Sequence, residues 1–357
     1  MYLGLGLYRR ALTPENFQFA RQAGCEAIVA HLVDYFRDGQ LHGTDETTTW
    51  GVTQTRDIWT EEELRGLRHQ VEEAGLRLEA IENFDPGFWH DVLLDGPKKQ
   101  QQLEQLKQLI RNIGRAGIPT VGYNFSIAGV WGHVEGPFAR GGATSVGFLG
   151  PDGPRETRLP LGQVWNMVYD PEAPAGDIGT VTSEELWQRL EDFLRAVVPV
   201  AEECGVRLAA HPDDPPMPTI RDTARLVHQP QIYQRLLDLV PSRSNALELC
   251  LGTMQEMTEG DVHESLASYA KQDAIAYIHF RNVRGKVPKY HEVFVDEGDL
   301  DMIRALRILH ERGYRGMLIP DHTPQMSCPA PWHAGMAFAL GYIRAGLHAV
   351  GVTGPSS

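Results

Sequence analysis

The feature that most constrains this chain is a junction that keeps returning. RQAGCEAIVAHL is followed in the sequence by EEAGLRLEAIENF, GRAGIPTVGYNF, EECGVRLAAHP and ERGYRGMLIPDH. Each reads as the end of a helix, a glycine, and a short apolar run rich in strand formers. Glycine suits that position because helices commonly stop through a left-handed residue, which costs glycine nothing. YLGLGL, NALELCLG and AIAYIHFRN bring the candidate strands to eight, near residues 2–7, 26–32, 76–82, 119–125, 206–212, 245–251, 275–281 and 316–321. Between them lie amphipathic stretches such as TEEELRGLRHQVEEAG and SEELWQRLEDFLRAVVPVAEECG, each with an apolar stripe at helical spacing. Thr60 before Glu61–Glu63, and Thr182/Ser183 before Glu184–Glu185, read as N-caps with acidic first turns. Alternation of this kind predicts an α/β chain: a single (β/α)8 TIM barrel over residues 1–350, with 351–357 a frayed tail.

One stretch breaks the period. Residues 126–181, after the fourth strand, are rich in Gly and Pro and carry no helical pattern. A loop of that length in a compact domain is usually functional or disordered. Because it holds Trp131, His133, Arg140, Trp165 and Asn166, an ordered lid over the barrel mouth is expected. A second atypical loop, 284–300, follows the seventh strand.

The chemistry lies at the ends of the last four strands. VRLAAHPDDPP ends on His211, ALELCLG on Cys250, IAYIHFRNV on His279 and GMLIPDH on Asp321. In a parallel barrel the C-terminal end of every strand faces the active site. His, Cys, His and Asp there form a set that can hold one divalent metal and leave room for a substrate. Each residue also has a plainer reading: a turn cap for His211 or Asp321, a small buried hydrophobe for Cys250, a satisfied core residue for His279. Asp213 and Asp214 can accept the imidazole N–H. Glu248 shares a face with Cys250 and needs a cation or donor inside the barrel. Arg281, Asn282 and Arg284 read as an anion site, since Arg matches a carboxylate bidentately. His322, beside Asp321, is the preferred titrating group. His31, Glu82, Asn83 and Asn124 are further polar strand ends.

Charge and composition exclude other classes. A net charge of −14 gives no basic face for nucleic acid. An anionic substrate then needs local Arg, Lys or a metal. No apolar run approaches a membrane span, and Met1 opens no signal-peptide pattern. Four cysteines without a CxxC fit a reduced, cytoplasmic setting. GLGLYRR and RGGATSVG lack the spacing of phosphate loops. PKKQQQLEQLKQ reads as a solvated helix face.

Taken together, YNF at 123–125, HPDDPP at 211–216, LELCLGT at 247–253, IHFRNVRG at 278–285, YHE…GDLDM at 290–302 and IPDH at 319–322 resemble the mannonate dehydratase family. That family belongs to the xylose-isomerase-like TIM barrels. The resemblance implies a Mn2+- or Fe2+-type metal on His211, Cys250, His279 and Asp321. It also implies dehydration of D-mannonate to 2-keto-3-deoxy-D-gluconate, with Asp321 and His322 as the catalytic pair. Asn124, Trp131, Arg140, Arg281, Asn282, Arg284, Glu292 and His333 are the expected substrate contacts. Two segments depart from the pattern. Where the family has Asp-Trp-Thr-Arg after YNF, this chain keeps Trp131 but has Val130 and His133 at the acidic and basic positions. Where the family has a functional Tyr after IPDH, His333 lies near that position. The rival readings are a sugar isomerase or epimerase on the same barrel and a non-catalytic sugar-acid binder. The expected partner is a small-molecule sugar acid, with no nucleic acid and no membrane, and self-association into a homo-oligomer left open.

Overall fold

A computed structural model describes residues 1–35, 51–53 and 57–352. Eight parallel strands close into a barrel: β1 Tyr2–Tyr8, β2 Ala27–His31, β3 Arg77–Glu82, β4 Thr120–Tyr123, β5 Arg207–Ala210, β6 Asn245–Cys250, β7 Ile275–His279 and β8 Met317–Ile319. Seven fall within the expected runs, and β1 extends one residue past its own, to Tyr8. The barrel closes where Tyr2 pairs with Met317. Its interior is filled by Ala27, Val29, Ala80, Ala209, Tyr277, Met317 and Ile319, small residues set against large ones as a filled rather than hollow barrel requires.

The recurring junction behaves as its glycines imply. Gly24, Gly75, Gly117, Gly205 and Gly313 all have positive φ, between 66° and 91°, and each ends a helix before the next strand. Thr60 and Thr182 each form a capping box, with Glu63 and Glu185 reaching back to the cap. Ser183 is the first helical residue rather than a cap. In the helix Lys99–Arg115, Leu103, Leu106, Leu109, Ile110 and Ile113 are buried while Glu104 and Lys107 pair at the surface. Only one face of the Lys- and Gln-rich stretch is therefore solvated. Residues 353–357, most of the expected tail, lie outside the described residues.

The segment 126–181 is not a structureless loop. His133–Ala139 and Ala143–Phe148 form a hairpin. Its second strand pairs with Lys289–Val293, which pairs with Asn282–Lys286. The long connections after β4 and β7 thus fold together as one four-stranded antiparallel sheet. Neither half could be paired from local sequence, because the partners are separated by about 140 residues and only the barrel brings them side by side.

Candidate metal centre and active site

β5, β6 and β7 deliver His211, Cys250 and His279 to one point at the mouth of the barrel. One ligand atom from each lies within 4.8 Å of the others. Asp321 joins from the turn after β8, its Oδ2 3.3 Å from His279 Nδ1. Its backbone is left-handed, with φ 59°, a conformation that non-glycine residues rarely hold outside functional sites and turns. On its other side, His279 Nε2 lies 2.9 Å from Glu248 Oε1 and 3.4 Å from Glu82 Oε2. Glu82, Glu248 and His279 form a second close group beneath the first.

The electrostatics suit an ion. Burial opposes the Cys250 thiolate. The charge of Arg281 and hydrogen bonds with His211 and His279 prevail and bring it down to about 5. The amide of Thr253 also donates to its sulfur. Burial raises Glu248, and the charge of Glu82 adds to that rise. Burial opposes ionisation of Glu82 too, but His31 and His279 hold it down at about 2. Both ring nitrogens of His279 and both carboxylate oxygens of Glu248 are buried without an in-line hydrogen-bond partner. Buried polar groups are seldom left so. A thiolate, imidazoles and a carboxylate converging around orphaned donor atoms fit a divalent transition metal.

Above this centre opens a cavity of about 610 Å³. Its floor holds His211, His279, Asp321 and Glu248. One wall carries Tyr8, His31, Tyr35, Glu82 and Asn83 from the ends of β1–β3 and the turn after β2. The other carries His133, Val134, Thr144, Ser145 and Trp165 from segment 126–181. His322 and Glu292 face each other across it, His322 Nδ1 3.1 Å from Glu292 Oε1. Burial opposes a charge on His322, but Asp321 and Glu292 outweigh it and raise the imidazole to about 10. Burial lowers His31 instead.

Of the expected substrate contacts, Asn124 and Glu292 line this cavity. Asn124 also donates to the carbonyl of Pro212 and so ties β4 to the turn that carries His211. The others are placed elsewhere. Arg281 is buried behind the centre, bonded to Asp214, Glu256, Thr253 and Asp321 and 3.5 Å from Glu292; it is a counter-charge for the site and does not line the cavity. Asn282 bonds the carbonyls of Val295 and Leu300 and pins the 284–300 loop. Arg284 is exposed and bonds Glu297. Arg140 is exposed, pairs with Asp296 and covers the ring of Phe294. Trp131 packs with Ala128 and Ile220 inside the insertion. His333 points back at Asn16 and Phe19. These are corrections with one cause: each side chain points where its own segment packs, which chain position does not reveal. No described residue lining the cavity is a lysine or an arginine, so its positive charge comes from imidazoles.

His31 and Glu82, two of the polar strand ends singled out in the chain, line the cavity, while Tyr8 and Tyr35 were missed. Tyr8, His31 and Glu82 follow from the same rule that found the ligands, since they end β1, β2 and β3. Tyr35 and Trp165 carried no such signal; they meet only because the turn after β2 packs on the insertion.

Comparison with known proteins agrees with this geometry. The D-mannonate dehydratase (UxuA) family model matches residues 10–141 and 176–344. The mannonate dehydratase of Streptococcus pneumoniae (strain 70585) is 33% identical over 288 residues, which is 76% of this chain and 77% of that protein. That of Thermotoga neapolitana is 31% identical over 287 residues, 74% and 78%. The crystal structure of mannonate dehydratase from Streptococcus suis serotype 2 superposes with a TM-score of 0.77 at 26% identity, covering 100% of this chain and 98% of that one. The unmatched gap, 142–175, falls within the insertion, and the matched residues span β2–β8; this chain belongs to the mannonate dehydratase family.

Proposed function

We propose that this protein is a hydro-lyase that dehydrates a sugar acid, D-mannonate, to 2-keto-3-deoxy-D-gluconate. The observation that carries the reading is the convergence of His211, Cys250 and His279, with Asp321 beside them, beneath a cavity faced by His322. These four would hold a divalent ion of the Mn2+ or Fe2+ type, with the Cys250 thiolate favouring the softer Fe2+. When bound, the ion supplies Lewis-acid stabilisation of charge developing on a substrate carboxylate and 2-hydroxyl.

The reaction removes the proton from C2 and hydroxide from C3, and the resulting enol becomes the 2-keto acid. Asp321 is engaged by His279 and Arg281, so it suits a ligand better than a mobile base. His322 is free to move a proton. Its side chain is 41% exposed to the cavity, and Glu292 and Asp321 hold it as the imidazolium. A group charged at neutral pH beside a leaving hydroxyl is placed to act as its general acid. The hairpin 133–148 and Trp165 form the far wall, and we assign segment 126–181 the role of a lid that keeps bulk water from the enol. Substrate grip falls to imidazoles, Asn124 and the cavity hydroxyls, since Arg140, Arg281 and Arg284 do not reach it.

The test is a panel of aldonates assayed for 2-keto-3-deoxy product and for solvent deuterium exchange at C2. Exchange and product on D-mannonate above all others supports the assignment. Exchange on a different aldonate keeps the mechanism and replaces the substrate. Interconversion of a keto sugar would transfer the reading to an isomerase, and saturable binding without product to a binding protein.

A further inference from the structure

We propose that Glu248 is a positioning residue for the metal centre: it fixes His279 in the tautomer that turns Nδ1 toward the ion. The inference rests on the metal reading above. A neutral imidazole carries one N–H and one lone pair, and only the lone pair binds a metal. The two nitrogens of His279 face different neighbours. Nδ1 is 3.3 Å from Asp321 Oδ2, on the side of the four candidate ligands. Nε2 is 2.9 Å from Glu248 Oε1. With Nδ1 turned to the ion, Nε2 is the nitrogen that keeps the hydrogen, and its nearest acceptor is Glu248 Oε1, ahead of Glu82 Oε2 at 3.4 Å. A carboxylate behind a ligating histidine in this way fixes both tautomer and ring orientation.

The surroundings are built for this contact. Glu248 is 1% exposed, and neither of its oxygens has an in-line hydrogen-bond partner among the described residues. The ring of His279 is a donor within reach of Oε1. Gly122 of β4 faces the same space: a Cβ there would lie 2.4 Å from Glu248 Oε2 and 2.5 Å from the Tyr277 hydroxyl. A side chain of any size would push the carboxylate off its position. Tyr277, next but one before His279, donates to Glu82 at 3.2 Å, and its hydroxyl also lies against Glu248. Glu82, Gly122, Glu248 and Tyr277 come from β3, β4, β6 and β7.

Two measurements on the full chain decide it. Long-range 1H–15N spectra of the histidine-labelled protein loaded with Zn2+ should show His279 bound through Nδ1 and protonated at Nε2. Binding through Nε2 would overturn the inference while leaving the metal site intact. Failure of the wild type to take up Zn2+, Mn2+ or Fe2+ would instead remove the metal reading, and this inference with it. In the second measurement, chelator competition with Mn2+ should show affinity falling roughly 10- to 100-fold in Glu248→Gln, the usual effect of losing such a support. The melting temperature of the metal-free protein should hold, because a buried carboxylate has been replaced by a neutral amide of equal size. Gly122→Ala keeps the carboxylate but displaces it, and should lower Mn2+ affinity in the same direction. Wild-type Mn2+ affinity in both variants would overturn the proposal. Should Glu248→Gln fail to fold, Gly122→Ala and the wild-type spectrum still decide between the two outcomes.

Discussion

The two halves of the barrel are built alike and end differently. β5 to β8 finish on, or just before, His211, Cys250, His279 and Asp321, whose polar atoms point at one another. β1 to β4 finish on or beside Tyr8, His31, Glu82 and Asn124, which spread along a wall. The strands share their geometry, so the difference lies in how far each terminal side chain reaches and what it meets. In the second half Arg281 sits behind the mouth and draws four acidic partners, Asp214, Glu256, Glu292 and Asp321, around itself. In the first half Tyr8, His31 and Tyr35 pack ring against ring. One half concentrates charge at a point; the other shapes the space beside it.

That contrast can be broken at several points. Replacing a second-half ligand should have the largest effect. His279→Ala or Cys250→Ala should weaken metal binding by more than the roughly 100-fold cost of losing an outer support, and activity should vanish with bound metal, as elemental analysis beside the aldonate assay would show. Cys250→Ser should lose Fe2+ more readily than Mn2+. Next comes His322→Asn, expected to lower kcat by about 10²- to 10⁴-fold while metal content stays at the wild-type level. Loss of metal in that variant would mean that His322 supports the ion rather than moving a proton.

Glu292→Gln should act more mildly and through pH. The carboxylates of Asp321 and Glu292 raise the folded-state pKa of His322 to about 10. An acid is active below its pKa, so wild-type activity should persist until pH rises toward that value. Removing the Glu292 charge lowers the pKa, and the alkaline limb of the kcat/KM profile should move to lower pH. An unmoved limb would separate Glu292 from His322 in function. Chelation should also cost stability, by about 2.7 kcal/mol where free metal had stood at 100 times its Kd, read as a fall in Tm. At the small end, Arg140→Ala should leave KM within about twofold, the range of ordinary surface substitutions, since Arg140 is exposed and paired with Asp296 rather than turned into the cavity. A large rise in KM would show that the wall opposite the metal extends further than the described cavity.

The barrel and the strand ends that carry the candidate ligands were legible in the chain. The glycine junctions are local, because a left-handed residue must end each helix, and strand ends in a parallel barrel all face one way. Anyone reading His211, Cys250, His279 and Asp321 at those ends can place them without coordinates. Which polar residues line the cavity depended on packing. Arg281 looks like an anion grip in the chain and is a buried counter-charge in the fold, because its partners arrive from four other segments. The wall from 126–181 exists only because its hairpin pairs with Lys289–Val293 across the molecule. Pairing of that kind depends on loop closure between distant residues, and no local pattern encodes it. Trp131, Arg140 and His333 carried suggestive chemistry at suggestive positions, yet the packing of their own elements turned them to Ile220, Asp296 and Asn16. Residue type and spacing specify where a strand must end; only packing specifies what its neighbours will be.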